Sequence, residues 1–401
     1  MHPLMKPALR RGWRDLNTVQ FGMTPAHAMT LGPMDTATGS FLDLLNGTRG
    51  LALLREEGRR MDLPDGHVDA LVERLSRAGL VDDARGGGPA AQSLRDRKQV
   101  LERLRPDLES LSLITPEPGG PLGRLAARRA LRVQVRGAGR VGVTLAALLS
   151  GAGVGEVDVR DVGRVQPWDV MPGGLPAESV GERRDEAARR VVRGAAPDRP
   201  PRRPDPVAEE PGLALVIIAP RDDVLVHAPD ARAAEPLMAS GTPHLYTGVV
   251  EGTGVVGPLV LPGGTGCARC LHEHRTDRDP AWPRLVAQWR SGQARRVGAC
   301  DLTLAAAVAG LAAAHALAFL DGESPSGTGV RWESSVPALH WHARPVRPHP
   351  ACPCAAAEKT KGEHSSTDGD PHATMVGQRP SAERREHADA ARPTGTWRAH
   401  V

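Results

Sequence analysis

The sequence predicts an α/β protein: a doubly wound, mostly parallel sheet preceded by a small helix-rich domain. Two observations predict it. From Val133 to Asp161, "VQVRGAGRVGVTLAALLSGAGVGEVDVRD" reads as a strand, a glycine turn, a helix, a second strand and an acid. Ahead of it, residues 1–90 carry apolar positions at helical spacing, ending in a short strand signal. The chain then divides into a first unit over 1–90, a linker and helix over 91–130, the α/β domain over 131–354 and a tail over 355–401.

In the first unit, "LNTVQFGMT" (Leu16 to Thr24) is expected as a strand. "TATGSFLDLLNGTRGLALLREEG" is expected as a helix that starts near Thr38 or Ser40, pauses at Asn46-Gly47 and resumes. "DGHVDALVERLSRAGLVDDA" places Val68, Leu71, Val72 and Leu75 on one helical face, Gly79 stops that helix, and "LVDD" begins a strand or wing. This order suggests a winged-helix-like module. "RGGGPAAQS" (Arg85 to Ser93) is expected as a flexible linker, followed by a polar helical stretch to about Leu113. The tail from Ala355 has almost no large apolar residues and is expected to be disordered.

At 401 residues the chain has room for two domains plus tails. Its 40% hydrophobic and 24% charged content suits a globular protein, and 3% aromatics means the core must rest on Leu, Val and Ala. The net charge of +4 comes without a dense basic block interleaved with aromatics, which argues against nucleic acid as a partner. The helix "DALVERLSRAGL" offers only Arg74 and Arg77, too little for a recognition helix. "MHPLMKPALRRGWRDLNT" lacks the apolar run of a signal peptide. "LTLAAAVAGLAAAHALAFL" (Leu302 to Leu320) has about the length of a membrane span. It is mostly Ala, carries His315 and has no orienting basic flank, so it is read as a buried or dimer-interface helix. A cytoplasmic chain with no membrane partner is expected.

Gly137, Gly139 and Gly142 form G-x-G-x-x-G. The first two permit a tight turn and close approach to phosphate, and the third lets helix and strand pack closely. The helix N-terminus that follows attracts an anion, and Asp161 at the end of the next strand can accept hydrogen bonds from ribose. The arrangement is Rossmann-like; a domain that keeps the turn and binds nothing is the alternative.

The five cysteines are Cys267, Cys270, Cys300, Cys352 and Cys354. "CARC" and "CPC" are two local pairs that could together supply four soft ligands to a tetrahedral Zn²⁺, and in a reducing compartment metal is favoured over disulfide. Such a site would be structural, with no coordination position left for water. Reduced, unliganded thiols are the alternative. Cys300, in "GACDLTLAAAV", falls at an expected helix start, where the dipole would favour thiolate; it is either a reactive thiol or a small residue at a helix end.

Three stretches, in order, resemble the ThiF/MoeB/ubiquitin-activating-enzyme superfamily. "LLSGAGVGEVDVRDVGRV" is similar to its glycine-strand-acid-Val segment. "SVGERRDEAARRVVRGAAPDRP" is similar to its G-x-x-K segment and the helix after it. "LALVIIAPRDD…LMASGTPHLYTGVVEGTGVVGPLVLPGGTGCARC" is similar to its later strands, hairpin and Cys pair. The resemblance runs from about Leu131 to Cys354. It implies ATP rather than a dinucleotide in the glycine turn, Mg²⁺, a structural zinc on the paired cysteines, and adenylation of a peptide or small-protein carboxylate. Arg184 would meet phosphate and Asp222 would be the Mg²⁺ acid. Cys300 would stand in a loop where some members carry a thiol that takes the activated substrate. Members commonly dimerise, which implies a homodimer.

The sequence departs from the family pattern at named positions. Gly163 stands at the second acid, Asp169 at the Asn, Pro172 at the Arg and Arg184 at the Lys, and Arg221 holds the nominal place of the metal acid with Asp222 or Asp223 close by; Arg164, Arg183 or Arg184 are the candidates to replace the lost cations. Arg for Lys keeps the charge but changes its geometry. These departures keep a second function open. A winged-helix-like module ahead of a ThiF-like domain resembles leader-peptide-binding proteins of ribosomal-peptide modification. There a peptide adds to a sheet edge and the ThiF-like domain is a degenerate scaffold serving a partner enzyme. A packing or dimerisation unit is the alternative for that module. An NAD-dependent enzyme is a third reading, without any visible hydride-handling residues.

Overall fold

Alternating apolar residues build the central strands of the computed structural model, which describes residues 1–198, 212–221, 223–292 and 297–354. The tail predicted over 355–401 and Asp222 lie outside the described residues. In chain order the strands are β1 (Pro3–Met5), β2 (Arg11–Trp13), β3 (Val19–Phe21), β4 (Met29–Leu31), β5 (Val81–Asp83), β6 (Arg132–Arg136), β7 (Glu156–Arg160), β8 (Leu215–Ile218), β9 (His244–Val250), β10 (Thr253–Val260), β11 (Val330–Ser335) and β12 (His342–Pro345). The helices are α1 (Thr36–Phe41), α2 (Leu51–Arg60), α3 (His67–Arg77), α4 (Gly88–Asp96), α5 (Lys98–Arg103), α6 (Arg105–Ile114), α7 (Gly120–Arg128), α8 (Arg140–Gly151), α9 (Arg184–Ala195), α10 (Asp223–His227), α11 (Ala231–Ala239), α12 (Ala268–Arg278), α13 (Trp282–Ser291) and α14 (Leu302–Leu320).

The main sheet has the order β12-β11-β10-β9-β8-β6-β7. β7, β6, β8 and β9 run parallel, as the βαβ pattern predicts, and β10, β11 and β12 extend the sheet antiparallel. Successive strand residues point to opposite faces: Leu245 of β9 joins the core under α8, α9 and α14, while Tyr246 joins the cluster under α11 and α12. α14 is long and apolar enough to cross a membrane, yet its Leu304, Ala305, Val308, Ala309, Ala312 and Ala316 belong to the main core and pack on α8, β9 and β10. Small Ala side chains let α14 lie close to α8 over its length.

Residues 19–81 have their own core, including Val19, Phe21, Phe41, Leu54 and Leu75. β2, β3 and β4 form a three-stranded antiparallel sheet, and β1 pairs with β5. Asp35 caps α1 by accepting the Thr38 N–H at 2.7 Å. The strand expected over Leu16–Thr24 is confined to Val19–Phe21, because the Arg14 N–H to Thr18 carbonyl bond (2.8 Å) closes a hairpin there. Lys6 is buried, and its ammonium donates to the carbonyls of Ser112 (2.6 Å) and Thr115 (2.9 Å), fastening this unit to the end of α6.

The flexible linker expected at Arg85–Ser93 is corrected. α4 begins at Gly88, and a Cβ on Gly86 would lie 2.7 Å from the Gly119 Cα. These glycines serve close backbone approach rather than mobility. α4 to α7 share a small core of Leu94, Leu104, Leu111 and Leu125.

Candidate functional site

The glycine turn connects β6 to α8. Gly137 has φ 115°, and a Cβ there would lie 1.9 Å from the Ala219 carbonyl oxygen; at Gly142 it would lie 2.0 Å from the Gly137 oxygen. Both positions therefore require glycine, the first for the turn and the second for packing of α8 on β6. At Gly139 the nearest obstacle is the Arg221 side chain, whose Cγ would be 2.7 Å from a Cβ. Arg221 follows β8 and reaches across the turn to Asp169, donating through Nε at 2.9 Å and Nη2 at 2.7 Å. Asp169 is buried and also accepts the Gln166 N–H at 2.9 Å.

Arg184 is the first residue of α9, and its guanidinium is 7% exposed. Its Nη2 donates to the Val162 carbonyl at 2.7 Å, with Asp161 and Asp169 carboxylate oxygens at 3.4 and 3.7 Å. Its Nε and Nη1 make no hydrogen bond among the described residues. Gly163, where the superfamily pattern has an acid, adopts φ 90°, and a Cβ there would lie 2.6 Å from Arg184 Nη2. The guanidinium thus occupies the space a side chain would need. Asp161 accepts the Ala138 N–H at 2.5 Å, so the expected ribose acceptor lies against the glycine turn. The structure therefore brings Gly137, Gly139, Gly142, Asp161 and Arg184 together and adds Asp169 and Arg221 as a cross-bridge. Asp222, expected as the metal acid, lies outside the described residues.

Cys300 stands just ahead of α14 without capping it. Asp301, not Cys300, caps α14, accepting the Leu304 N–H at 2.9 Å. Burial pushes the Cys300 thiol up, and the Arg140 charge opposes this only in part. Arg140 is instead bound to the Cys300 carbonyl at 2.6 Å.

The other four cysteines converge. Cys267 is the N-cap of α12 and Cys270 lies in its first turn, while Cys352 and Cys354 arrive on the strand-free segment after β12. The sulfur separations are 3.8 Å (Cys267–Cys270), 3.6 Å (Cys267–Cys352) and 3.5 Å (Cys270–Cys354). A tetrahedron with Zn–S bonds of about 2.3 Å has S···S edges of about 3.8 Å, and a disulfide would need about 2.05 Å. The geometry fits a four-thiolate metal and excludes disulfides between these pairs. Without a cation, the Cys267 thiol and burial push Cys270 up, and burial pushes Cys352 up.

Residues 113–354 match the model of the ThiF family. The chain belongs to the ThiF family. No curated protein sequence matches it. Among solved structures, Escherichia coli MccB with MccA is similar at a TM-score of 0.62 and 14% identity, covering 88% of this chain and 99% of that one. MccB with ATP gives the same score, identity and coverage. PaaA gives a TM-score of 0.60 and 16% identity, covering 86% of this chain and 100% of that one. At these identities the likeness establishes the fold, which extends beyond the family segment into the N-terminal unit.

Sequence reasoning noted Asp169 and Arg221 as departures from a pattern without joining them. They are 52 residues apart in sequence, and nothing short of the fold makes them neighbours. The only signal was that each differs in charge from the residue the family pattern expects.

Proposed function

We propose that this ThiF-family chain binds a peptide or small-protein precursor on its N-terminal unit and presents it to a partner modification enzyme, with its nucleotide-type cleft retained as a scaffold. The Arg221–Asp169 bridge across the glycine turn carries this reading. Adenylation needs developing negative charge on the α-phosphate cancelled by cations and a bound metal. Here an Arg stands where a metal-binding carboxylate is expected and Pro172 stands where an Arg is expected. Asp161 already accepts the Ala138 N–H and Asp169 the Arg221 guanidinium, while Arg184 is bound through Nη2 to the Val162 carbonyl and keeps only loose ion pairs to both acids. The Asp169 carboxylate is thus engaged by Arg221 within the cleft.

The peptide site is supported by β4, an edge of the three-stranded sheet. Beside it a cavity of about 220 Å³ is lined by Leu9, His27, Ala28, Met29, Ala78 and Gly79, where the start of β4 meets the end of α3. An extended peptide can add to such an edge through its main chain and place alternate side chains in the cavity. MccB, described as a microcin C7 biosynthetic enzyme and solved with N-formylated MccA, shares the fold. A structural Zn²⁺ on Cys267, Cys270, Cys352 and Cys354 belongs to the same proposal; bound there, it would cross-link α12 to the segment after β12.

A second reading, ATP-dependent adenylation of a peptide carboxylate, is favoured by the intact glycine turn with Asp161. In it Gly137, Gly139, Gly142 and Arg184 would hold phosphates, Asp161 the ribose and Asp222 the Mg²⁺. Two experiments separate the readings. Peptides selected from a displayed library on the wild type should lose binding to Ala78→Trp, which fills the cavity from an exposed position. Pyrophosphate exchange with the selected peptides should remain at background; exchange that depends on the peptide would establish the second reading.

A further inference from the structure

His274, Asp277 and His349 lie beside the four cysteines, and their ligand atoms fall within 4.8 Å of one another. Their hydrogen bonds decide what they do. The Ala351 N–H donates to His349 Nδ1 at 3.1 Å, so the ring proton is on Nε2, which meets Asp277 Oδ2 at 2.8 Å. His274 Nε2 faces the Arg347 carbonyl at 3.1 Å, and a carbonyl only accepts, so that nitrogen also carries its proton. Both Nε2 lone pairs are therefore committed to N–H bonds rather than offered to a metal.

The same bonds register the segment 347–352 on α12. His274 and Asp277, one turn apart on α12, grip Arg347 and His349, and the two imidazoles stack edge to face at 4.6 Å. Gly266 lets this segment approach, since a Cβ there would lie 2.3 Å from the Val346 oxygen. The His349 N–H then points at Cys270 Sγ (3.3 Å), and the Cys352 N–H bonds the His349 carbonyl (3.0 Å). The side chain of His349 is thus locked by α12 while its backbone touches one thiol and positions the next.

We propose that the Asp277–His349 pair is an outer-shell clamp for the four-cysteine centre. It holds the C-x-C half against the C-x-x-C half and keeps an N–H on the Cys270 sulfur, so that metal retention depends on it. This rests on the proposed zinc. Outer-shell partners of metal ligands typically change metal affinity by about 10- to 100-fold. Asp277 is 67% exposed, so its substitution leaves the core intact.

The test is zinc content and the rate of zinc release to a colorimetric chelator from the full chain, with Co²⁺ substitution to report ligand geometry. The wild type should hold one zinc. His349→Ala and Asp277→Ala should release it at least about tenfold faster while keeping the absorption of a tetrahedral four-thiolate cobalt site. Asp277→Asn, whose carbonyl can still accept the Nε2–H, should release it near the wild-type rate. Unchanged release in both Ala variants would overturn the clamp alone. A second metal equivalent lost in Asp277→Ala would overturn it in favour of a His–Asp–His metal site. A wild-type chain without zinc would overturn the clamp together with the centre it serves.

Discussion

Arg221 is the side chain that bridges the glycine turn to the segment after β7. It lies over the glycine turn and binds buried Asp169 with two nitrogens. Arg221→Ala should destabilise the fold by about 1–3 kcal/mol, the usual cost of leaving a buried charged acceptor short of its partner, as measured by urea unfolding. The loss stays modest because Arg184 remains 3.7 Å from the other Asp169 oxygen. The three glycines separate by what stands in their way. Gly139→Ala should fold, since Arg221 can move aside, whereas Gly142→Ala meets the Gly137 backbone oxygen and should fail to give a soluble, cooperatively melting protein. Gly137, Gly142 and Asp161 were legible in the sequence because the turn demands those residue types locally. The Arg221–Asp169 bridge was not, because a salt bridge between distant residues leaves no spacing signature.

Elements were legible where they were long. α3, α8 and α14 carry sustained helical patterns, and β6 and β7 flank a turn with its own glycine code. β1, β2 and β4 are three residues each, too short for an alternation to register; hairpin closure onto β3 makes β2 and β4 strands, and long-range pairing with β5 makes β1 one. The glycines at 86–88 read as a linker because composition cannot distinguish flexibility from close packing. At this scale the buried imidazoles make the fold acid-sensitive. Burial and the charges of Arg275 and Arg331 lower His227, at the end of α10, from 6.5 to about 4, and burial lowers His244 and His315. These rings stay neutral when folded while the unfolded chain takes up protons, so their contribution is complete above about pH 6.5 and declines as pH falls, that of His227 being lost toward 4. The thermal midpoint should fall across that window, and His227→Gln should flatten the fall; equal slopes in both proteins would remove His227 from the account.

The whole molecule joins a unit with a cavity of about 220 Å³ beside an edge strand to a ThiF-family sheet whose nucleotide-type cleft is bridged by Arg221 and Asp169. The α/β class followed from the sequence, because βαβ periodicity and glycine placement are local. The antiparallel half of the sheet, β10 to β12, depends on long-range pairing and was not legible as such. The fold is shared with MccB over 88% of this chain, so the backbone alone does not separate an adenylating protein from a scaffold. The proposal rests on the side chains in the cleft, and Mg²⁺-ATP binding reads them directly. Calorimetry on the full, zinc-loaded chain and on Asp161→Ala should show no saturable heat with Mg²⁺-ATP in either protein. Saturable binding by the wild type that disappears in Asp161→Ala would contradict the scaffold and make the glycine turn a working nucleotide site.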